Sequence, residues 1–554
     1  MTPITQTCRL SGVQFVISDL EQEFLRKMEV PLPTISPYER MRRRLSFRNE
    51  RLLYHRKCDL TGKQIISSAS QDKKYPVYCA DAWWSDDWSP LDYGRDFDFS
   101  RPFFEQYFEL RDQVPRLALQ QQRPMINSEY CNCASKNKNC YLCFSTNHCE
   151  DCYYGSWINF SKDCVDNENS LKNELAYETN DCESCYNCVY SEECHNCNDV
   201  YFSKACIGCK NIIFCTNLKN KEYCIFNKKY SKDEFKKFKQ EMNLGSNKKF
   251  SEHVATFEKM KSGMIVKEYH GTNNENVTGN HITNCKNSFW SYMVTDCEDA
   301  THCASVEVGV RNCMDYTYWG GNAERIYECQ ACGYDLFNLR FCNLCWSNCS
   351  DLTYCDHCFS SSDCFGCIGL KKAKYCILNK QYTKEEYEEL VPRIIEHMKK
   401  TKEFGEFFPT SGSPFAYNET LAVEYTPLNR EEVLARGNMW KEADAIAKYQ
   451  GPKVEIPDNI TDAPEDICSQ ILTCEVSGKL YKVIPQELRF LRKMNLPIPR
   501  RCPDQRHADR MARRNPRVLY QRQCAKTHKE IWTTYSPERP EKVYCEEAYR
   551  EEFI

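Results

Sequence analysis

Pairs of cysteines separated by two residues are the most frequent chemical motif of this sequence, which has 38 cysteines in 554 residues. Two thiolates at this spacing lie on one turn and can bind the same tetrahedral zinc ion. Two neighbouring pairs would complete a cage, so the pairs in the middle of the chain are candidate zinc ligands. The candidates are Cys140, Cys143, Cys149, Cys152, Cys194, Cys197, Cys355, Cys358, Cys364 and Cys367. The same spacing occurs at Cys182/Cys185, Cys185/Cys188, Cys206/Cys209, Cys329/Cys332 and Cys342/Cys345.

A thiol-packed interior is the alternative interpretation of these pairs. Free cysteine behaves as a small buried hydrophobic residue. Many cysteines are nine residues apart, for example Cys188, Cys197 and Cys206, and such regularity would stack equivalent thiols through a core. Zinc cages and thiol ladders both remain open at this stage.

A second set of cysteines lies near the chain ends, where each motif is incomplete. The position three residues after a cysteine is occupied by Ser11, Thr61, Ala82, Ser477, Thr527 and Ala548. This pattern is similar to a degenerate treble-clef or zinc-ribbon module, either holding zinc with a fourth ligand or having lost its metal. The candidate ligands are Cys8, Cys58, Cys79, Cys474, Cys502, Cys524 and Cys545. The candidates for a fourth ligand are His55 or Asp81 in the first copy and Cys502, His507 or His528 in the second.

Both ends also carry a dense run of arginines at helical spacing, which predicts two basic stripes. The stripes are Arg40, Arg44, Arg48 and Arg51, and Arg506, Arg510, Arg514 and Arg517. Pro516 should end the second helix early. Arginine makes bidentate contacts to phosphate, so the stripes predict a nucleic-acid surface. A solvated face, or pairing with the acidic connector around Asp92, is the alternative.

Two internal duplications organise the elements that must position these residues. Cys8 matches Cys474, Cys58 matches Cys524 and Cys79 matches Cys545, each at an offset of 466 (474 − 8, 524 − 58 and 545 − 79). The sequence Tyr223–Lys228 matches Tyr375–Lys380 at an offset of 152 (375 − 223). Each of these is followed by a capping-box helix start, at Ser231 and Thr383. One terminal module and one cysteine-rich array are therefore each used twice.

The short, fixed spacing within the arrays, with turn-forming residues between, predicts a parallel β-solenoid. Two nine-residue units would give a coil of about 18 residues. Strings of irregular zinc ribbons are the alternative. The predicted fold is therefore mainly β, with duplicated solenoid arrays and small α+β zinc-finger-like terminal modules. The predicted segments are module 1–82, connector 83–124, array 125–230, helix and joint 231–280, array 281–382, helix 383–403, connector 404–466 and module 467–554.

Composition narrows the class of protein. The formal net charge is only −4, so a nucleic-acid surface would have to be local. Only 11 histidines accompany the cysteines, so metal sites would be thiolate-dominated. The start of the sequence has no signal-peptide pattern, and no apolar run is long enough to span a bilayer. We therefore expect a cytoplasmic protein with reduced thiols and no membrane insertion.

Several short sequence segments resemble those of a family of cysteine-rich, internally duplicated proteins encoded by uncultivated bacteria with reduced genomes. They include Phe490–Met494, Leu496–Pro499, Ile531–Pro540 and Tyr375–Tyr382, together with the opening Cys474-x-x-Ser-Gly. The resemblance covers nearly the whole chain. It implies complete cysteine pairs in the terminal modules of relatives, from which this sequence departs, and it implies no activity.

These observations predict a non-enzymatic binding scaffold, stabilised by metal or thiols, with zinc as the cofactor. Its terminal arginines would contact nucleic acid or a ribonucleoprotein. A structural protein with protein-only partners and a thiol- or metal-dependent enzyme are the alternatives. No catalytic residue and no small-molecule substrate is identified.

Overall fold

The core of the fold consists of two parallel β-solenoids built from very small coils. A computed structural model describes residues 2–306, 309–321, 323, 325–331, 333, 339–344, 348–442 and 454–553. Cys332 and Cys345, two members of the predicted cysteine pairs, lie outside the described residues. The predicted β-solenoid is confirmed in both arrays.

Every third residue along the first array adopts a left-handed backbone conformation, with φ of 53° at Lys136, 55° at Asn139 and 50° at Leu142. Each such residue turns the chain through a corner. Strands pair in parallel at a register of 12 residues, as in Cys152↔Cys164 and Cys164↔Ala176. A coil therefore has four sides of three residues, and the predicted coil of about 18 residues is wrong. Asn and Asp are frequent at the corners because they tolerate this conformation.

Hydrogen bonds between coils use two of the three residues on each side. The first residue donates to a carbonyl of the next coil, as Asn132 N does to Cys143 O at 3.2 Å. The corner residue donates to the previous coil, as Asn139 N does to Ile126 O at 2.8 Å. The third residue faces the interior. Parts of the second array hold 13 residues per coil, as the pair Glu298↔Arg311 shows.

The strands of the arrays are short. In the first array they are Gln121–Gln122, Ala134–Ser135, Glu150–Tyr153, Ser156–Asn159, Lys162–Val165, Glu168–Leu171, Glu174–Tyr177, Tyr186–Val189, Asn198–Tyr201, Lys210–Ile213, Glu222–Ile225 and Lys228–Lys229. In the second they are Glu275–Thr283, Lys286–Thr295, Glu298–Thr301, Ala304–Val306, Arg311–Met314, Ser350–Thr353, Ser362–Phe365, Lys374–Ile377 and Lys380–Gln381.

Helices follow the arrays and lie in the connectors. The predicted capping boxes are confirmed at Ser231 and Thr383, which begin helices Lys232–Glu241 and Lys384–Lys400. The other helices outside the terminal modules are Phe103–Arg111, Asn247–Lys261, Ala422–Tyr425 and Arg430–Ala435. Short 3₁₀ helices are Pro90–Tyr93, Thr410–Gly412, Tyr417–Glu419, Ile460–Asp462 and Glu465–Ser469. Among the described residues, no helix is long and apolar enough to cross a membrane.

Each terminal module contains two hairpins that are followed by helices. The first comprises Ile4–Thr7, Gln14–Ile17, Asp19–Lys27, Pro37–Leu45, Tyr54–Lys57, Gln64–Ser67, Val77–Tyr78 (paired with Arg116–Leu117) and Ala80–Trp84. The second comprises Leu472–Thr473, Leu480–Tyr481, Pro485–Met494, Pro503–Ala512, Tyr520–Gln523, Glu530–Thr533, Lys542–Tyr544 (paired with Ile265–Lys267) and Glu546–Phe553. The hairpin cysteines recur at 50 residues in both modules (58 − 8 and 524 − 474).

The two modules pack on opposite arrays. Met28 and Phe47 of the N-terminal module share a buried cluster with Tyr354 and Phe365 of the second array. Leu488 and Phe490 of the C-terminal module share another with Val165 and Tyr177 of the first array. The N-terminal module therefore covers an apolar side of the second solenoid, and the C-terminal module covers an apolar side of the first.

Candidate functional site

The interior of each solenoid is lined by the third residue of every side, and its backbone amide points inward. Small side chains of the preceding coil accept from these amides. Ser128 Oγ accepts from Cys140 N at 3.0 Å, and Cys197 Sγ accepts from Cys209 N at 3.3 Å. A buried amide without a partner would be destabilising. Cysteine, serine and asparagine therefore fill the interior because they are both small and able to accept hydrogen bonds.

The thiols also act as donors to backbone carbonyls. Cys143 Sγ donates to Cys152 O at 3.1 Å, and Cys355 Sγ donates to Cys364 O at 3.4 Å. Each acceptor lies nine residues further on, which is three sides of a coil. Among the described residues, the thiols thus have a hydrogen-bonding role that requires them to be reduced.

The candidate zinc ligands of the arrays all occupy such inward positions. They are Cys140, Cys143, Cys149, Cys152, Cys194, Cys197, Cys355, Cys358, Cys364 and Cys367, each at most 2% exposed. Within the described parts of the chain, no group of three or more His, Cys, Asp or Glu side chains is arranged to hold a metal ion. Burial raises the pKa of Cys143 and Cys355 well above the usual value, so these thiols are neutral. Zinc in the arrays stays a prediction.

The terminal cysteines form small clusters beneath the hairpin turns. Cys474 accepts from the amide of Ser477 at 3.5 Å, and the Ser477 hydroxyl lies 3.7 Å from Cys502 Sγ. The second hairpin of the same module repeats this with Cys524, Thr527 and Cys545. The N-terminal module has Cys58, Thr61 and Cys79, and then Cys8, Ser11 and Ser36. Three clusters keep two thiols and a hydroxyl, and the cluster at Cys8 keeps one thiol and two hydroxyls.

The proposed fourth ligands have other partners. His507 lies 3.6 Å from Glu168 and 3.3 Å from Glu424, between the module and the first array. Asp81 pairs with Arg123, and His528 forms the left-handed corner of its hairpin turn with a φ of 60°. The ring of His55 lies 6.2 Å from that of Tyr130. Cys502 is the exception, because it joins Cys474.

The arginines of the N-terminal module face the second array or the start of the first. Arg40 Nε lies 2.6 Å from Asp315, and Arg44 lies 3.1 Å from the other oxygen of the same carboxylate. Arg48 stacks on the ring of Tyr318 at 4.4 Å, and Arg51 donates to Ser156 at 2.7 Å. Arg43, outside the predicted stripe, pairs with Glu328.

The arginines of the C-terminal module make equivalent contacts with the first array. Arg506 and Arg510 lie 2.9 Å and 2.7 Å from the two oxygens of Asp166. Arg514 lies 3.2 Å from Asp181. Arg517 donates to Ser305 of the second array at 2.6 Å and lies 3.8 Å from the ring of Tyr425.

The predicted exposed basic stripes are therefore wrong. Arg40, Arg44 and Arg510 are at most 1% exposed. The helices end at Leu45 and Ala512, before the third arginine of each set. The arginines do pair with acidic residues, as the alternative expected, but not with the connector around Asp92. Most of the partners are array residues, while Arg48 pairs with Glu50 and Arg51 with Glu424. Asp166 and Asp315 are separated by 149 residues (315 − 166) and not by the array offset of 152, so the repeat match does not single them out.

A cavity of about 80 Å³ lies where the N-terminal module meets both arrays. Its wall includes Arg48, Cys133, Trp157, Tyr318 and Leu344. Cys133 occupies a coil corner with a φ of 53°, so it faces outward from the coil. Burial raises the pKa of this thiol to about 12, against the opposing effect of Arg48. The thiol is therefore neutral and unsuited to nucleophilic attack.

The equivalent place at the C-terminal module is filled by charged groups. Arg514 corresponds to Arg48 (514 − 48 = 466), and the cavity there is only about 10 Å³. His270 and His281 stack at 5.0 Å, and Glu193 lies 3.1 Å from His270. The two halves of the chain have thus diverged at this point.

Comparisons with protein-family models, curated proteins and solved structures returned no match.

Proposed function

We propose that the protein is a non-enzymatic binding scaffold, a thiol-stabilised pair of solenoids fastened by the two ends of its own chain. The observation that carries this proposal is the role of the inward thiols, which accept from amides and donate to carbonyls, as at Cys197 and Cys143. Thiols used in this way stabilise coils and are not presented to a substrate. Their S–H donors also favour a reducing compartment such as the cytoplasm.

Alkylation under native conditions tests this role. With iodoacetamide at neutral pH, we expect the array thiols to remain unmodified until denaturant unfolds the coils, and then to react together. Mass spectrometry of peptides identifies the modified positions. One array thiol that reacts rapidly in the folded protein would contradict the scaffold and favour a thiol enzyme.

We propose a protein as the partner, and the N-terminal hairpin as its binding surface. Val13, Val16 and Leu20 are 59%, 55% and 60% exposed on this hairpin and the following helix. The corresponding residues of the C-terminal module are Lys479, Lys482 and Gln486 (each at offset 466). At these three positions the first copy exposes apolar side chains where the second copy has polar ones, while the second hairpin exposes Val476 and Leu480 instead. The difference at the three positions supports a binding role specific to the first copy.

The chain supplies its own control for this surface. The variant Val13→Lys/Val16→Lys/Leu20→Gln introduces the residues of the second copy, which the same fold accommodates. We expect a protein that copurifies with the wild-type chain from its native cells to be lost with this variant. The reverse exchange, Lys479→Val/Lys482→Val, changes only the second copy and should leave capture of the partner unchanged. Equal capture by the variant would contradict this surface.

Binding to nucleic acid or a ribonucleoprotein through the arginines has less support, because those side chains pair inside the fold. It stays a prediction that filter binding with RNA and DNA at several salt concentrations can test. Binding that weakens steeply with salt would restore it.

A further inference from the structure

The hairpin turns of the terminal modules build the same small cluster of sulfur and oxygen atoms four times. We call these clusters the hairpin sites. They are Cys474/Ser477/Cys502, Cys524/Thr527/Cys545, Cys58/Thr61/Cys79 and Cys8/Ser11/Ser36. Three contain two thiols, and the fourth contains one because Ser36 stands where the others have a cysteine. This recurrence shows that the geometry belongs to the fold of the hairpin and not to one local accident.

Each turn is shaped by the same backbone bonds. Cys474 N donates to Lys479 O at 2.8 Å, and Cys524 N donates to Lys529 O at 2.8 Å. The residue that closes the turn has positive φ, 69° at Gly478 and 60° at His528. The turn residues themselves are exposed, so each cluster lies directly beneath the surface. The sulfur of the first cysteine is therefore held in place before any ligand arrives.

The backbone of the second cysteine is directed at the first. Cys545 N donates to Cys524 Sγ at 3.2 Å, and Cys79 N donates to Cys58 Sγ at 3.3 Å. Thr527 N donates to Cys524 Sγ at 3.4 Å. Amide hydrogens on one sulfur favour its thiolate form, because hydrogen bonds to the charged state stabilise it. The hairpin sites thus place such a sulfur directly beneath an exposed turn, whereas the array thiols, such as Cys143, line the solenoid interior.

The number of sulfur ligands selects the metal. A structural zinc site needs four protein ligands in a tetrahedral arrangement, whereas the hairpin sites offer two thiols and one hydroxyl. Soft thiolate ligands suit Cu(I), which needs only two of them in a linear arrangement. We propose that the three two-thiol hairpin sites bind a soft monovalent cation of the Cu(I) type, one per site.

The binding step balances in charge and protons. The cation binds both sulfurs of a site as thiolates, and each thiol that is protonated beforehand releases its proton to solvent. No oxidant or reductant is consumed.

Titration of the full chain with Cu(I), under anaerobic and reducing conditions against a chromophoric Cu(I) chelator, tests the proposal. We expect three tight equivalents per chain, one for each two-thiol hairpin site. The variants Cys79→Ser, Cys502→Ser and Cys545→Ser each reproduce the Cys8/Ser36 arrangement that the chain already contains. Each should remove one equivalent, and the triple variant should remove all three.

Cys8→Ser is the matched control, and it should leave the number of tight equivalents unchanged. Circular dichroism of the apo variants checks that the fold is intact. Equal copper binding by wild type and triple variant would place the metal on array thiols and overturn the proposal. Absence of tight Cu(I) binding by the wild type would overturn it as well. Zinc bound more tightly than Cu(I) at these cysteines would also overturn it and favour zinc sites.

Discussion

Asp166 of the first array and Asp315 of the second make the same connection in opposite halves of the molecule. Asp166 forms salt bridges with Arg506 and Arg510 of the C-terminal module, and Asp315 forms salt bridges with Arg40 and Arg44 of the N-terminal module. Neither aspartate side chain is exposed. Each end of the chain is thereby fastened to the array that lies further from it in sequence.

Removal of one of these carboxylates should destabilise the fold strongly. We expect Asp315→Ala to cost about 3–5 kcal/mol, because two buried guanidinium groups lose their shared partner. Asp166→Ala should have a similar effect. Urea unfolding followed by circular dichroism measures the change. Glu252→Gln is the control, because it removes an exposed pair with Lys249 and should leave stability nearly unchanged. Similar losses in all three variants would contradict the fastening role.

The interior thiols should be replaceable by serine more readily than by alanine. Cys197→Ala leaves the amide of Cys209 without its acceptor, which we expect to cost about 1–3 kcal/mol. Cys197→Ser keeps an acceptor, as Ser191 does for the amide of Ser203 at 3.2 Å. Urea unfolding of both variants gives the comparison. If alanine is tolerated as well as serine, the thiols act only by filling space.

Much of the fold could be predicted from the sequence because its repeats are local. The duplicated modules, the β-solenoid and the capping boxes at Ser231 and Thr383 follow from residue spacing alone. The length of a coil could not be predicted from this spacing, because nine residues make up only three sides of a four-sided coil. The inward positions recur every third residue and hold Ser, Asn, Ala or Ile as well as Cys, so the cysteines alone do not reveal the period.

The environment of the arginines could not be predicted in the same way. A helical spacing places Arg40 and Arg44 on one face, but it does not say what that face contacts. Their partner, Asp315, lies 275 residues beyond Arg40 (315 − 40) and on the array not adjoining the module. Burial of a charge depends on such distant partners, which a local pattern does not contain.

A metal chelator should leave the apo fold intact. The arrays are held by hydrogen bonds from thiols and amides, and the modules by buried ion pairs such as Arg510–Asp166. We therefore expect the melting temperature to be the same with and without EDTA. Elemental analysis of the reduced, purified protein is the accompanying measurement. Zinc bound in stoichiometric amounts, together with a large loss of stability in EDTA, would instead support the predicted zinc cages.

Acidification should destabilise the protein through two partly buried histidines before the carboxylates of lowered pKa protonate. Burial lowers the pKa of His270 to about 3 and that of His281 to about 4, against the opposing effect of Asp181. In the unfolded chain both should titrate near 6.5. As pH falls from about 6.5 towards 4, the unfolded state binds protons at these histidines that the folded state does not bind. Stability is therefore complete above that window and is lost by up to about 1.4 kcal/mol per pH unit for each histidine.

Urea unfolding at pH 7 and pH 5 measures this loss. The double variant His270→Gln/His281→Gln keeps hydrogen-bonding groups without a titrating ring, so it should be less sensitive to pH over the same interval. Paired carboxylates such as Glu192, whose pKa the neighbouring Lys204 and Lys261 lower to about 2 against burial, should add their loss only below about pH 4.5. An equal pH dependence in wild type and double variant would place the acid sensitivity in other groups than the histidine pair.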